Sequence, residues 1–575
     1  MTSDLLSTSF VVSPSFILIF GAFLLPVVGG WARGVLLLGL PLLTLGAIWQ
    51  VGDGVQLTAN FLDYQLELVD GSNLSRLFAT IFAIMAFAGG LFALNQTRVM
   101  ELSAAFAYAG SAIGVALAGD LITVFMYWEL MAVGSTIVVW SGRSEASGRA
   151  AMRYALIHLL GGVVLMIGVI AYIQETGSID FVAMGANSFA TWAILIGFLI
   201  NTGAPPLSAW LPDAYPEASW SGTVFLSAFT TKTAVYVLLV GFAGEQILIW
   251  IGTYMIFYGI IYALLENDMR RILAYSIVNQ VGFMVVGAGI GTEMAVNGAA
   301  AHAFTHIIYK ALLLMSAGSV MYMTRDADNP GGKRKCTDLG GLFQSMPLTT
   351  IAGIVGALAI SSFPWTSGFV SKSMTNQAAY DGGMMVVWFA LLAASAGVFL
   401  HAGIKFPWFV FFQKDSGLRP KDPPWNMRAA MILFSVLCIW IGVQPGPLYA
   451  LLPYPTDYQP YTSAHVYEML QLLLYAGLAF FVLLPMLKRK LTIALDFDWF
   501  YRKLAVEMAR SLTLTTSKFL GGCAWVHDKL VNALIDLASH HHNPRGVLAR
   551  TTPAGVMVFW VVILLFAYLV MYLFI

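Results

Sequence analysis

Glu129 stands at the centre of Leu121 to Trp140, inside "FMYWELMAVG", a run that is otherwise apolar. A carboxylate at bilayer mid-depth costs about 2.5–3.5 kcal/mol on insertion scales, so the residue must do something to be kept there. It has company. Lys232 lies in "FLSAFTTKTAVYVLLV", and His302, His306 and Lys310 recur every four residues in "AAAHAFTHIIYKALLLM". Lys372 closes "ISSFPWTSGFVSK", His401 and Lys405 lie in "VFLHAGIKFPWFVFF", His158 in "MRYALIHLLGG", and Asp120 opens the Glu129 run. At 3.6 residues per turn, His302, His306 and Lys310 share one helix face. Five such groups at ~2–3 kcal/mol each amount to on the order of 10 kcal/mol of desolvation, part of which pairing recovers. Groups that hold and release a proton, strung along helices inside a bilayer, are the parts of a proton relay. Burial disfavours the charged form of such a group and an opposite charge nearby favours it, so a Glu–Lys pair that opens and closes is a protonation switch. Plainer readings stand beside this one. Lys372 and Lys405 also suit helix-end lysines that reach back to the interface, and His158 and His401 also suit packed polar residues.

The elements that carry these residues follow from composition. The chain has 575 residues, 59% hydrophobic and 10% charged, against about 25% charged for soluble domains. It is therefore an all-α polytopic membrane protein. Spans fall near 9–29, 34–52, 74–94, 101–119, 121–140, 152–175, 188–209, 219–243, 247–265, 271–290, 298–323, 348–371, 384–413, 426–446, 466–486 and 554–575, about 16 transmembrane helices. Alternate loops hold the basic residues, from Arg33 and Arg98 to Lys488, Arg489 and Lys490, and the intervening loops are acidic or neutral. The positive-inside rule puts the basic set in the cytoplasm and both termini outside. Only the acidic loop Trp210 to Ser219 offends. The N-terminal "MTSDLLSTSF" lacks the basic region of a cleaved leader, so the first span is expected to be retained. Zero net charge and three scattered cysteines, Cys336, Cys438 and Cys523, suggest no nucleic-acid partner, disulfide framework or metal site. Neither haem ligand pattern, cluster cysteines nor nucleotide loop is present, so no cofactor is expected.

Two spans contain helix breakers, "FLINTGAPPLSAWLP" and "LAISSFPWTSGFVSK". Proline inside a span frees carbonyls that neighbours or water must satisfy. Broken helices in matching positions of two halves point to an inverted-repeat transporter. The expected organisation is N-terminal spans in 1–100, a first five-helix repeat in 101–243, and a second in 247–413. Additional spans occupy 414–486, an amphipathic surface segment 487–550, and a final span 551–575. The surface segment mixes charge with apolar residues at helical spacing, which suits a helix lying along a membrane face.

"YWELM", "APPLSAWLPDAYPEA", "ENDMRRILAYSIVNQVGFM", "AHAFTHIIYKALLLMSAGSV" and "FPWTSGFVSK" together resemble the antiporter-like subunits shared by Mrp-type sodium/proton antiporters and respiratory complex I. "LPDAYPEA" and "FPWFVFF" are most similar to the D-type subunit of Mrp antiporters. "LDFDWFYRK" and the tail after it are more similar to the longest antiporter-like subunit of complex I, and a bicarbonate-uptake pump contains another relative. The resemblance implies a proton pathway through Glu129, Lys232, His302, His306, Lys310 and Lys372; Asn201, Asp120, His158, His401 and Lys405 stand beside it as candidate accessories. It also implies a departure. The family lysine that serves Glu129 lies five residues before the proline of a Pro-Leu pair; here that proline is Pro206 and the position holds Asn201. Glu129 then lacks its usual partner, unless Lys232 or a neighbouring subunit supplies one. The function implied is a proton-translocating, non-enzymatic subunit of a multi-subunit Mrp-type cation/proton antiporter in a bacterial-type cell membrane. Its partners would be other antiporter subunits and the bilayer, its ions H+ and Na+. The rivals are a proton-pumping subunit of complex I or of a bicarbonate-uptake complex, and a non-conducting scaffold on the same fold.

Overall fold

The computed structural model describes residues 12–327, 329–490 and 495–574. Residues 9–11 of the first expected span and most of "LTIALD" lie outside them. The chain divides into two units, Met1–Asp498 and Trp499–Ile575.

The first unit opens with α1 (Pro14–Leu24), α2 (Gly30–Ile48), a hairpin of β1 (Gly54–Phe61) and β2 (Tyr64–Gly71), then α3 (Asn73–Phe92), α4 (Val99–Leu117), α5 (Leu121–Trp140) and α6 (Glu145–Thr176). A broken pair follows, α7 (Phe189–Thr202) and α8 (Trp210–Ala214), then a second, α9 (Gly222–Leu226) and α10 (Thr230–Gly241). Next come α11 (Ile247–Leu265), α12 (Met269–Ile290), α13 (Glu293–Met323), a third broken pair, α14 (Pro347–Ile360) and α15 (Ser367–Asp381), and α16 (Met385–Val398). α17 (Trp425–Val443), α18 (Gly446–Tyr449), α19 (Ser463–Val482) and α20 (Leu484–Leu487) complete the unit. Among the described residues, thirteen helices are long and apolar enough to cross a membrane. The shorter apolar helices Pro14–Leu24, Phe189–Thr202 and Pro347–Ile360 coincide with the other three expected spans.

Helix starts follow local chemistry. Ser72, Ser144 and Ser188 each form a reciprocal capping box with the residue three positions on, which satisfies two otherwise orphaned N–H groups. Helix ends at Gly177, Gly203 and Gly291 turn left-handed, the conformation glycine adopts without penalty. α11 and α12 approach until backbone meets backbone. A Cβ on Gly252 would sit 2.6 Å from the Gly282 carbonyl oxygen, and one on Gly259 2.6 Å from that of Tyr275. Small residues at such crossings let membrane helices pack by dispersion alone. α12 and α13 run through the middle, wholly enclosed over their most apolar stretches.

Three features depart from the sequence expectation. The acidic stretch is the β-hairpin, whose β2 buries Leu66 and Val69 beside an irregularity in the pairing register. The span expected at 219–243 is also broken, between α9 and α10. The span at 384–413 leaves α-geometry for two π-helical stretches, Phe399–Lys405 and Trp408–Phe412, the rarer winding that re-aims side chains and often marks function.

The acidic loop that offended the charge rule has a local explanation. Arg153 grips Asp213 with two bonds of 2.7 and 2.8 Å, and Arg334 donates to Glu217 at 2.9 Å. The buried Arg270 donates to the carbonyls of Ala218, Tyr215 and Ser219 at 2.8, 3.2 and 3.0 Å. The loop's acids are thus neutralised by neighbours. Near the end of the unit, Asp496 Oδ2 accepts from Tyr258 and Tyr275 at 2.7 and 2.6 Å, fastening the "LDFD" stretch to α11 and α12.

In the second unit, α21 (Ala505–His542) is a single helix of 38 residues, and α22 (Ala554–Phe574) is apolar throughout.

Candidate functional site

The breaks place cations at helix ends. Lys232, at the start of α10, donates to the Ser227 carbonyl at 2.6 Å and to Thr231 Oγ1 at 3.1 Å. Lys372, on α15, donates to the Ile360 carbonyl at 2.7 Å, where α14 stops, and lies 5.1 Å over the Phe283 ring. Lys405 donates to the carbonyls of Ala263, Leu264 and Glu266 at 3.1, 2.6 and 2.6 Å, at the end of α11. All three are buried. Each ammonium therefore meets the negative end of a helix, where unpaired carbonyls accept its protons. The expectation that Lys372 and Lys405 also suit interfacial reach is corrected: helix breaks supply buried acceptors, so neither needs water.

Lys310 is placed differently. It lies mid-helix in α13, fully enclosed, and donates to Ser276 Oγ of α12 at 2.9 Å. His306, one turn earlier, is enclosed, and among the described residues neither ring nitrogen has a hydrogen-bond partner. Its ring lies 5.2 Å from that of Tyr309 and 6.0 Å from that of His302. His302 Nδ1 is 3.4 Å from Ser371 Oγ, on the residue before Lys372. Lys310 lies within reach of the charges of Lys232 and Lys372, His306 within reach of all three lysines, and His302 within reach of Lys372 and Lys232. The structure thus gathers Lys232, His302, His306, Lys310 and Lys372 into one enclosed file across α10, α13 and α15. His401, in the first π-helical stretch, bonds back to the Gly397 carbonyl at 2.8 Å and leaves Nε2 unbonded; it lies within reach of the charge of Lys310.

Other expected residues stand apart. Glu129 is half-buried on α5, and among the described residues no cation pairs with it. Asp120 is committed to structure: its carboxylate caps α5 through Thr123 N and Oγ1 at 2.8 and 2.6 Å and receives Glu67 N of β2 at 2.7 Å. Its accessory role is therefore that of a cap. Asn201 and His158 lie on α7 and α6, away from the file.

Sequence reasoning missed the neutral polar lining. Tyr309 donates to Gln280 Oε1 at 3.1 Å, Gln280 bonds to Asn279, and Asn279 reaches the Ile256 carbonyl at 3.0 Å. The signal was available: Ser276, Asn279 and Gln280 recur at helical spacing on a span. A second missed group is Glu101, 1% exposed, whose Oε1 accepts from Ser219, Ser221 at 2.6 Å and Gln96 at 3.2 Å. Nothing local links residues 118 apart.

A helical membrane bundle whose spans break beside buried lysines defines the class of polytopic transport proteins. The family model described as NADH:quinone oxidoreductase/Mrp antiporter, transmembrane region, matches residues 118–398, which covers α5 through α16. Over those residues the chain is similar to that family. It is 29% identical over 399 residues to a probable K(+)/H(+) antiporter subunit, of the A/B type, from Rhizobium meliloti, covering 65% of this chain and 39% of the relative. It is 28% identical to the D-type Na(+)/H(+) antiporter subunit of Alkalihalophilus pseudofirmus, covering 60% of this chain and 70% of that one. The match thus spans about two-fifths of the first relative's length. A chain of the membrane-bound sulfane sulfur reductase, an archaeal respiratory membrane complex, superposes with a TM-score of 0.70 at 22% identity over 97% of this chain and 99% of that one; at that identity the likeness is one of fold.

Proposed function

We propose that the chain is the proton-translocating subunit of a multi-subunit Mrp-type cation/proton antiporter, with H+ and Na+ as its ions. The observation that carries the reading is the enclosed file of Lys232, His306, Lys310, His302 and Lys372. Protons pass along it by way of Ser276, Tyr309 and Ser371, each of which can both accept and donate. Opening of the breaks at both ends admits water to Lys232 and Lys372, and the enclosed α12 and α13 separate the two sides. The first repeat comprises residues 101–243 and the second 247–413; in support, each has its fourth span broken, α7–α8 and α14–α15. The partners are the other subunits of the antiporter and the surrounding lipid, and no reaction is catalysed. A second reading, a proton-pumping subunit of a redox-driven membrane complex, is favoured by the fold likeness, which extends over the tail.

One experiment separates them. The chain is reconstituted with its partner subunits in vesicles, and luminal pH is followed on imposing a sodium gradient. A pH change that requires sodium and no electron donor is expected. A pH change that appears only with a reduced donor would favour the second reading, and none under either condition would leave the scaffold.

The topology has its own test. With both termini outside and 487–550 in the cytoplasm, Cys523 is the thiol that reports the inner face. It is exposed on α21, whereas Cys438 and Cys336 are buried, and burial pushes the Cys336 thiol up to about 12. A membrane-impermeant maleimide is expected to label inverted vesicles once per chain and intact cells not at all. Labelling of intact cells would reverse the orientation.

A further inference from the structure

Glu129, His158 and Asn201 converge on one face of α6. Gly162 lies one turn beyond His158, and the Glu129 carboxylate presses on it so closely that an added Cβ would sit 1.8 Å from Oε1. Asn201 Oδ1 lies over the adjacent Gly161, 3.7 Å from its Cβ position, and the Asn201 side chain faces His158. Among the described residues, Oε1 of Glu129, Oδ1 of Asn201 and both ring nitrogens of His158 are buried with no direct hydrogen bond of good geometry. Gly161 and Gly162 follow His158 by three and four positions, so they share its helix face, and the three side chains meet there. A buried water needs about two to four polar partners, which these groups supply. The imidazole is held in place by rings, 4.0 Å from Tyr154 and 4.7 Å from Trp210 of α8. Beyond it a polar thread continues. The Tyr154 hydroxyl donates to Ser135 at 3.0 Å and lies 3.4 Å from Thr230 Oγ1, and the next residue, Thr231, accepts from Lys232. Arg153 and Asp213, charged residues near His158 and Trp210 in the chain, are paired with each other.

We propose that His158 is the base that exchanges a proton with Glu129, a step that rests on the transport reading above. The proton leaves the Glu129 carboxyl, crosses one bridging water and adds to a free ring nitrogen of His158. This leaves a carboxylate and an imidazolium, and the reverse transfer restores both neutral groups. Asn201 Oδ1 accepts a hydrogen bond from the imidazolium N–H, which an ammonium at that position could not do. Asparagine at 201 is then part of the site, and His158 joins Glu129 to the file at Lys232.

The test uses the reconstituted complex and sodium-driven proton flux. H158Q and E129Q are each expected to lower flux at least about tenfold, and the double variant no further, since groups acting as one unit are non-additive. Adding N201K to H158Q is expected to restore most of the flux, because it returns a titratable cation to the same place; a merely structural histidine would not be replaced by a lysine on another helix. Should H158Q fail to assemble, H158F, which keeps a ring between Tyr154 and Trp210 but has no nitrogen, takes its place. Flux within about twofold of wild type in the assembled variant, or fully additive losses with E129Q, would overturn the proposal. If flux survives there while K310A abolishes it, the proposal falls and the transport reading stands; if K310A also leaves flux unchanged, both fall.

Discussion

Lys310→Ala lowers sodium-driven proton flux by about a hundredfold or more, the usual loss when a positioned proton-transfer group is removed. The same variant keeps its thermal stability in detergent, or gains some. Both halves follow from one observation. The ammonium is fully enclosed at mid-helix and bonded to the neutral Ser276, and among the described residues no carboxylate pairs with it. An enclosed charge without a counter-charge is a cost to the fold, and its removal offsets the cavity that alanine leaves. A residue retained at that cost is retained for what it does. Flux measured beside the melting temperature decides the matter. Lost flux with an unchanged melting temperature is the expected pair. Unchanged flux would remove the file from the mechanism, and lost flux with a collapsed melting temperature would make Lys310 a structural residue.

Gly259→Leu is expected to abolish the folded, monodisperse protein, a loss of at least about 3 kcal/mol. A Cβ there would lie 2.6 Å from Tyr275 O and 2.7 Å from Asn279 N. These are backbone atoms of α12 and cannot rotate aside as a side chain can. Separating the two helices would also pull Asn279 from the Ile256 carbonyl and part the Tyr258 and Tyr275 hydroxyls that share Asp496. Ser276, which holds Lys310, rides on the same helix. Gly39→Leu is the control, because nothing lies within 4 Å of its Cβ position. Its change should stay within about 0.5 kcal/mol. Size-exclusion profiles and melting curves of the two variants read the difference. A monodisperse Gly259→Leu protein with wild-type stability would mean that α11 and α12 do not touch as described.

The spans were legible because the bilayer imposes a local rule. About twenty apolar residues must close their own backbone bonds, so α5, α12 and α13 announce themselves wherever they pack. The broken spans were legible for the same reason, through Pro205, Pro206 and Pro364. The hairpin at 54–71 was not, since an acidic loop and a short half-buried strand pair share a composition. The break between α9 and α10 carries no proline, and only the packing of Ser227 and Lys232 makes it.

By itself, then, the sequence determined the number and place of the spans, and the His302, His306, Lys310 face, because helix period and hydrophobic length are properties of neighbouring residues. Tertiary structure alone decided which titratable groups meet. It placed Lys405 on a helix end 139 to 142 positions away, left Glu129 without a cation among the described residues, and turned Asn201 toward His158. Those are contacts between residues tens to more than a hundred positions apart, fixed by how helices cross and where glycines let backbones touch, and no local pattern records them.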